Sequence, residues 1–214
     1  MIISNQHHFI FYAIPKTGTH AVRNLLRPQL GEHDWEQCSL FVKKRLPFKP
    51  LAQKGHGHLT VMDIKPFVNP IMWNDLFSFC VVRNPYDRFV STCNFLFEEK
   101  MKKDPIGTMK RLFSFPGSIP LHTRILFSPQ YHFIYNRSMD LEVDHLARYE
   151  DFDNELKLIC DKLKLSYVEP KAVNVSKGSK QILTKEIAEK VYEHYRLDFE
   201  LLGYSRDHMP WCSS

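Results

Sequence analysis

At 214 residues, 43% apolar and 25% charged, the chain has the make-up of one ordinary globular domain with a substantial core. A net charge of +5 favours anionic ligands such as phosphates, sulfates or acidic glycans, but is too mild to indicate nucleic acid. Five scattered cysteines without C-x-x-C spacing exclude a disulfide framework or a zinc site as the organising feature. The N-terminus lacks the pattern of a signal peptide, and no apolar run reaches the ~18 residues needed to span a bilayer. A reducing, cytoplasmic setting is therefore the expectation.

Residues 8–14 read as a strand that breaks into a turn over 15–19 and then a helix over 20–30. Ala21, Val22, Leu25 and Leu26 supply the i, i+3, i+4 stripe of a helix lying on a sheet, and Gly31 closes it. Asp34-Trp35-Glu36-Gln37 has the form of a capping box opening a second helix to about Leu46. A Pro/Lys/Gly-rich connection over 47–58 ends in Gly55-His56-Gly57-His58. Short helices are predicted over 60–67 and 72–76, and the apolar run 77–82 is predicted to be a strand covered on both faces. Pro85 suits the first turn of a long helix to about Lys103. Residues 104–128 read as interrupted helix, 142–149 as a buried strand, 151–163 as a helix and 184–196 as a helix capped by Thr184.

Alternating short strands and helices, with no repeat or domain-length linker, predict one α/β domain over 1–214: a P-loop-like three-layer fold with a central parallel sheet flanked by helices. In such sheets ligands sit at the carboxyl ends of the strands. Two basic, hydroxyl-bearing turns fall there. The first is Pro15-Lys16-Thr17-Gly18-Thr19-His20. The second runs from Arg83 past Pro85 and Arg88 to Ser91. A helix N-terminus offers unpaired N–H groups and a positive dipole end to an anion. Lys16 adds a mobile point charge, Thr17, Thr19 and Ser91 add hydroxyls, and Arg83 adds a fork of donors. Arg88 reads instead as a brace of the turn or half of a surface ion pair with Asp87.

The nucleoside triphosphatase pattern G-x-x-x-x-G-K-[ST] is not met, because Lys16 precedes a lone glycine. A P-loop-type kinase or NTPase remains the second reading, and a non-catalytic anion- or glycan-binding relative the third. His56 and His58 lie between flexible glycines, where a neutral imidazole with a pKa near ~6.5 suits proton acceptance. As a metal pair they lack a third ligand of suitable spacing.

Pro15-Lys16-Thr17-Gly18-Thr19 together with Arg83-Asn84-Pro85-Tyr86-Asp87-Arg88-Phe89-Val90-Ser91 resembles the paired signatures of sulfotransferases that use 3′-phosphoadenosine 5′-phosphosulfate (PAPS). Arg148-Tyr149-Glu150-Asp151-Phe152 and residues 195–204 extend the likeness to most of the chain. The Gly55-His56-Gly57-His58-Leu59 segment resembles that of the carbohydrate sulfotransferases (Golgi-type family 2), in a compact form without a membrane anchor. The resemblance implies that residues 15–20 hold the 5′-phosphosulfate and that Arg83 and Ser91 hold the 3′-phosphate. It implies His58 as catalytic base, with His56 as substitute or helper, and Lys16 as catalytic cation. It further implies that Asn174, Ser176 and Lys177 belong to a loop closing over the cofactor. The acceptor implied is a hydroxyl, on a carbohydrate or glycosylated small molecule, with no metal required. Where many relatives carry Ser or Thr, this chain has His20.

Overall fold

In the computed structural model the described residues are 1–38, 46–114, 117, 119–169 and 183–207. They group into two compact units, one of residues 1–82 and 132–173, the other of residues 83–131 and 174–214.

The first unit holds the sheet, ordered β3-β1-β2-β4-β5 among the described residues. Strands β2 (Phe9–Tyr12), β4 (Phe77–Val82) and β5 (His145–Arg148) are parallel neighbours. Strand β1 (Ile2–Ser4) pairs antiparallel with β2, and β3 (Trp35–Glu36) pairs antiparallel with β1. The sheet is thus mixed, with parallel strands at its centre and helices flanking it, an α/β architecture.

On one face Phe9, Phe11, Phe79, Val81 and Ala147 pack against α1 (Thr19–Leu26) and α9 (Phe152–Leu163) through Val22, Leu25, Leu26, Leu156 and Ile159. The alternate residues Ile10, Tyr12, Cys80 and Val82 are buried as well, so β2 and β4 are covered on both faces. That explains their unbroken apolar sequences.

Two expectations fail here. The segment from Asp34 does not open a helix: Trp35–Glu36 is β3. The Asp34 carboxylate accepts from the N–H groups of Asn5, Gln6 and Gly31 and from Ser4 Oγ, at 2.7–3.1 Å. A side chain spent on tertiary partners no longer caps its own helix. Residues 39–45, the body of that predicted helix, lie outside the described residues. The helix after β2 ends at Leu26 and tightens into a 3₁₀ turn over Arg27–Gln29, short of Gly31.

Small helices α2 (Lys49–Ala52), α3 (Val61–Ile64) and α4 (Pro70–Asp75) complete the first half of this unit. Thr60 and Asp63 form a reciprocal capping box on α3. In the second unit, α5 (Pro85–Leu96) is followed by α6 (Glu98–Lys103), the break falling at Phe97 (φ −131°, ψ 35°) within the predicted single helix. Next come α7 (Pro105–Ser114) and a 3₁₀ segment over Leu121–Phe127; α8 (Tyr131–Ile134) begins at this unit's last residue before the chain returns to the first. α10 (Lys185–Leu202) starts from a Thr184 cap, as predicted, and kinks at Tyr195. A core of Tyr86, Phe89, Cys93, Met109, Val191, Tyr195 and Phe199 joins α5, α7 and α10.

Candidate active site

The first basic turn leaves β2 through buried Ala13, Ile14 and Pro15. Lys16 (φ 65°) and Gly18 (φ 82°) both adopt left-handed conformations around Thr17, which is fully buried. The Thr17 hydroxyl donates to the Ile14 carbonyl at 2.9 Å, so its one hydrogen closes the loop and is not offered to a ligand. Gly18 is the N-cap of α1 and brings no capping side chain. A Cβ at Gly18 would stand 2.8 Å from the Phe152 ring, so both conformation and space demand glycine there. Thr19 is buried at the start of the helix and His20 is exposed beside it. Partial desolvation, then the cations Arg23 and Lys16, lower the His20 pKa.

The histidine loop packs in the same unit. His58 Nδ1 lies 2.7 Å from the Ala13 carbonyl. A carbonyl only accepts, so Nδ1 carries the hydrogen and Nε2 keeps its lone pair. Burial of the ring drives the His58 pKa down to about 3, against the opposing hydrogen bond to Ala13. The imidazole is therefore neutral at any physiological pH, well below the ordinary value assumed from sequence. The His56 ring lies 6.2 Å from that of His58, and burial lowers its pKa too.

Gln37 organises this loop, a role hidden from sequence by the wrong helix assignment. Its side-chain amide donates to the carbonyls of Leu51 (2.6 Å) and His56 (3.0 Å). Its own carbonyl accepts from Arg23 at 2.9 Å. The Met1 nitrogen donates to the Gly57 carbonyl at 2.6 Å. Gly57 abuts the Gln37 carbonyl so closely that a Cβ would overlap it. Here the glycine is needed for close approach.

The second basic turn belongs to the other unit. Asn84 caps α5 by accepting from Tyr86 N–H, and Pro85 occupies the first turn. Gln130, fully buried, accepts from Arg83 N–H (2.9 Å) and donates to the Arg83 carbonyl (2.8 Å). Arg88 is 1% exposed, donates to the carbonyls of Leu126 and Ser128, and stacks over Tyr195. It is a brace, one of the two roles read from sequence, but of α5 against residues 126–128. Ser91 is half-buried on α5. Ser176 and Lys177, with Asn174, lie outside the described residues.

Among the described residues no group of three His, Cys, Asp or Glu side chains could hold a metal ion. Likewise no helix among them is long and apolar enough to cross a membrane.

The sheet-bearing unit thus carries a strand-to-helix turn with a neutral histidine beside it, and the other unit carries the arginine-bearing turn. The model of the sulfotransferase family matches residues 1–205, and the chain belongs to that family, whose reaction is sulfonyl transfer. No curated protein and no solved structure matches it.

Proposed function

We propose that the protein transfers a sulfonate from PAPS to a hydroxyl of a carbohydrate or glycosylated small molecule. The observation that carries the reading is the His58 Nδ1 bond to the Ala13 carbonyl. It ties a neutral imidazole, with Nε2 as acceptor, to the strand end that leads three residues later to Lys16. The donor set suits a phosphosulfate: left-handed Lys16 and Gly18, a helix N-terminus without a capping side chain, and a cation.

In this reading His58 Nε2 takes the acceptor's proton as the hydroxyl oxygen bonds to sulfur. The bond from sulfur to the bridging phosphate oxygen breaks in line, and Lys16 with the 15–20 N–H groups offsets the charge growing on that oxygen. Arg83 and Ser91 bind the 3′-phosphate and set affinity. A bound anion also raises the pKa of a nearby imidazole, strengthening the base when the donor is present.

Incubation with labelled PAPS and a panel of glycans, phenols and lipids tests this. Label should enter glycans, and His58→Ala should abolish it. Transfer confined to phenols or lipids would refute the acceptor class, and undiminished turnover in His58→Ala would remove the base. Stabilisation by ATP–Mg in place of adenosine 3′,5′-bisphosphate would favour the kinase reading.

A further inference from the structure

Gln130 and Asp198 spend buried polar groups in an unusual place. Both are fully buried. The Gln130 amide is used on the backbone of a single residue, satisfying Arg83 N–H and C=O together. This pairing continues, for one residue past the end of β4, what a neighbouring strand would have supplied. It therefore fixes the Arg83 backbone and the direction in which its side chain leaves the chain.

Gln130 is itself held. Asp198 on α10 accepts from the N–H groups of Gln130 (2.8 Å) and Tyr131 (2.9 Å). Just before them, Tyr195 OH donates to the Phe127 carbonyl at 2.9 Å, at the kink of α10. Arg88 grips the Leu126 and Ser128 carbonyls from α5. Residues 126–131 are thus anchored from two helices, and the chain of bonds ends on the Arg83 main chain. Apolar packing would stabilise such a core at lower cost than a buried carboxylate and amide. What the polar groups add is a fixed geometry.

We propose that Gln130, held by Asp198, is the positioning residue that orients Arg83 toward the 3′-phosphate of the donor. The inference rests on the reading of Arg83 given above. Gln130 acts through Arg83 and touches no ligand.

Calorimetric titration with adenosine 3′,5′-bisphosphate and adenosine 5′-monophosphate tests it, because only the first carries the phosphate in question. Gln130→Ala should weaken the bisphosphate on the order of tenfold, the scale of losing two aligned hydrogen bonds, and leave the monophosphate unchanged. Added to Arg83→Ala it should cost nothing further, since both changes remove one interaction. Equal weakening of both nucleotides, or additive losses, would overturn the positioning role and leave a structural one. Should Gln130→Ala not fold, Asp198→Asn keeps one acceptor oxygen and should show a smaller loss with the same selectivity. If Arg83→Ala alone keeps full discrimination, the 3′-phosphate assignment fails and takes this inference with it. If Arg83→Ala loses discrimination while the Gln130 and Asp198 variants keep it, only the positioning fails.

Discussion

At the first basic turn the backbone itself carries the special geometry: Lys16 and Gly18 are left-handed, and the hydroxyl between them closes the loop on Ile14. At the second, the Asn84 cap and Pro85 begin an ordinary helix, and the special features are side chains: remote Gln130 clamps the Arg83 backbone, and Arg88, on the helix itself, grips the Leu126 and Ser128 carbonyls. Under the proposed function the difference matches two kinds of anion. A loop of close-approaching N–H groups with a flexible lysine can follow charge that builds up during a reaction. A guanidinium on a clamped backbone suits a phosphate whose charge stays fixed. Under the proposed function one corner serves turnover and the other affinity, and each can be broken separately.

The largest effect should come from Lys16→Ala. Loss of one preorganised donor to a developing charge typically costs ~3–4 kcal/mol of barrier, so kcat should fall about a hundred- to a thousandfold. KM for the donor should change far less. Steady-state kinetics decides: a variant that raises KM at unchanged kcat would make Lys16 a binding residue and erase the contrast with Arg83.

Next comes Arg88, five residues from Arg83 and of the opposite kind. Arg88→Ala removes a buried guanidinium from two carbonyls and from the Tyr195 ring, and should lower unfolding free energy by about 3 kcal/mol. Urea denaturation measures it. A variant of unchanged stability would make Arg88 a ligand contact and not a brace.

Gly57→Ala should be milder, about 1–3 kcal/mol of strain, because the new methyl group must push the Gln37 carbonyl or its own loop aside. Turnover should drop with stability as His58 is displaced. Gly55→Ala makes the control for space, since a Cβ there meets nothing, although its φ of 70° still imposes backbone strain.

The run 77–82 was legible because it is apolar throughout, and the 61–64 helix because its capping box uses side chains adjacent in sequence. The two basic turns were legible for the same reason: a proline and cations in short register, joined at the first by a glycine. β1 and β3 were not. Three and two residues long, they exist through pairing with β2 and with each other, which local sequence does not encode. Asp34 looked like a cap until its partners across the fold were visible. Gln130 and Gln37 are invisible for a related reason. Each acts on backbone far away in the chain, 47 residues away for Gln130, so neighbouring residues do not reveal either role.

The effect smallest near neutrality concerns pH, and it tests whether the His58 ring is as enclosed as its contacts imply. Above pH ~6.5 the histidine is neutral in folded and unfolded chains alike and contributes no pH dependence. Below that value the unfolded chain binds a proton that the folded ring, held down to about 3, refuses. Stability therefore falls as pH falls from ~6.5 toward 3, by up to about 1.4 kcal/mol per unit from this residue. His58→Gln removes that slope, leaving the dependence due to His56, His20 and the buried Met1 amine, whose pKa values are lowered in the same direction. Urea denaturation of both proteins at pH 7, 6 and 5 should give lines that converge toward acid, the wild type losing stability faster. Parallel lines would mean that the imbalance is absent and the imidazole is open to solvent. The acid limb of kcat/KM reports the same ring in the free enzyme: a midpoint near 6.5 would contradict a buried neutral base, and a midpoint far below it would support one.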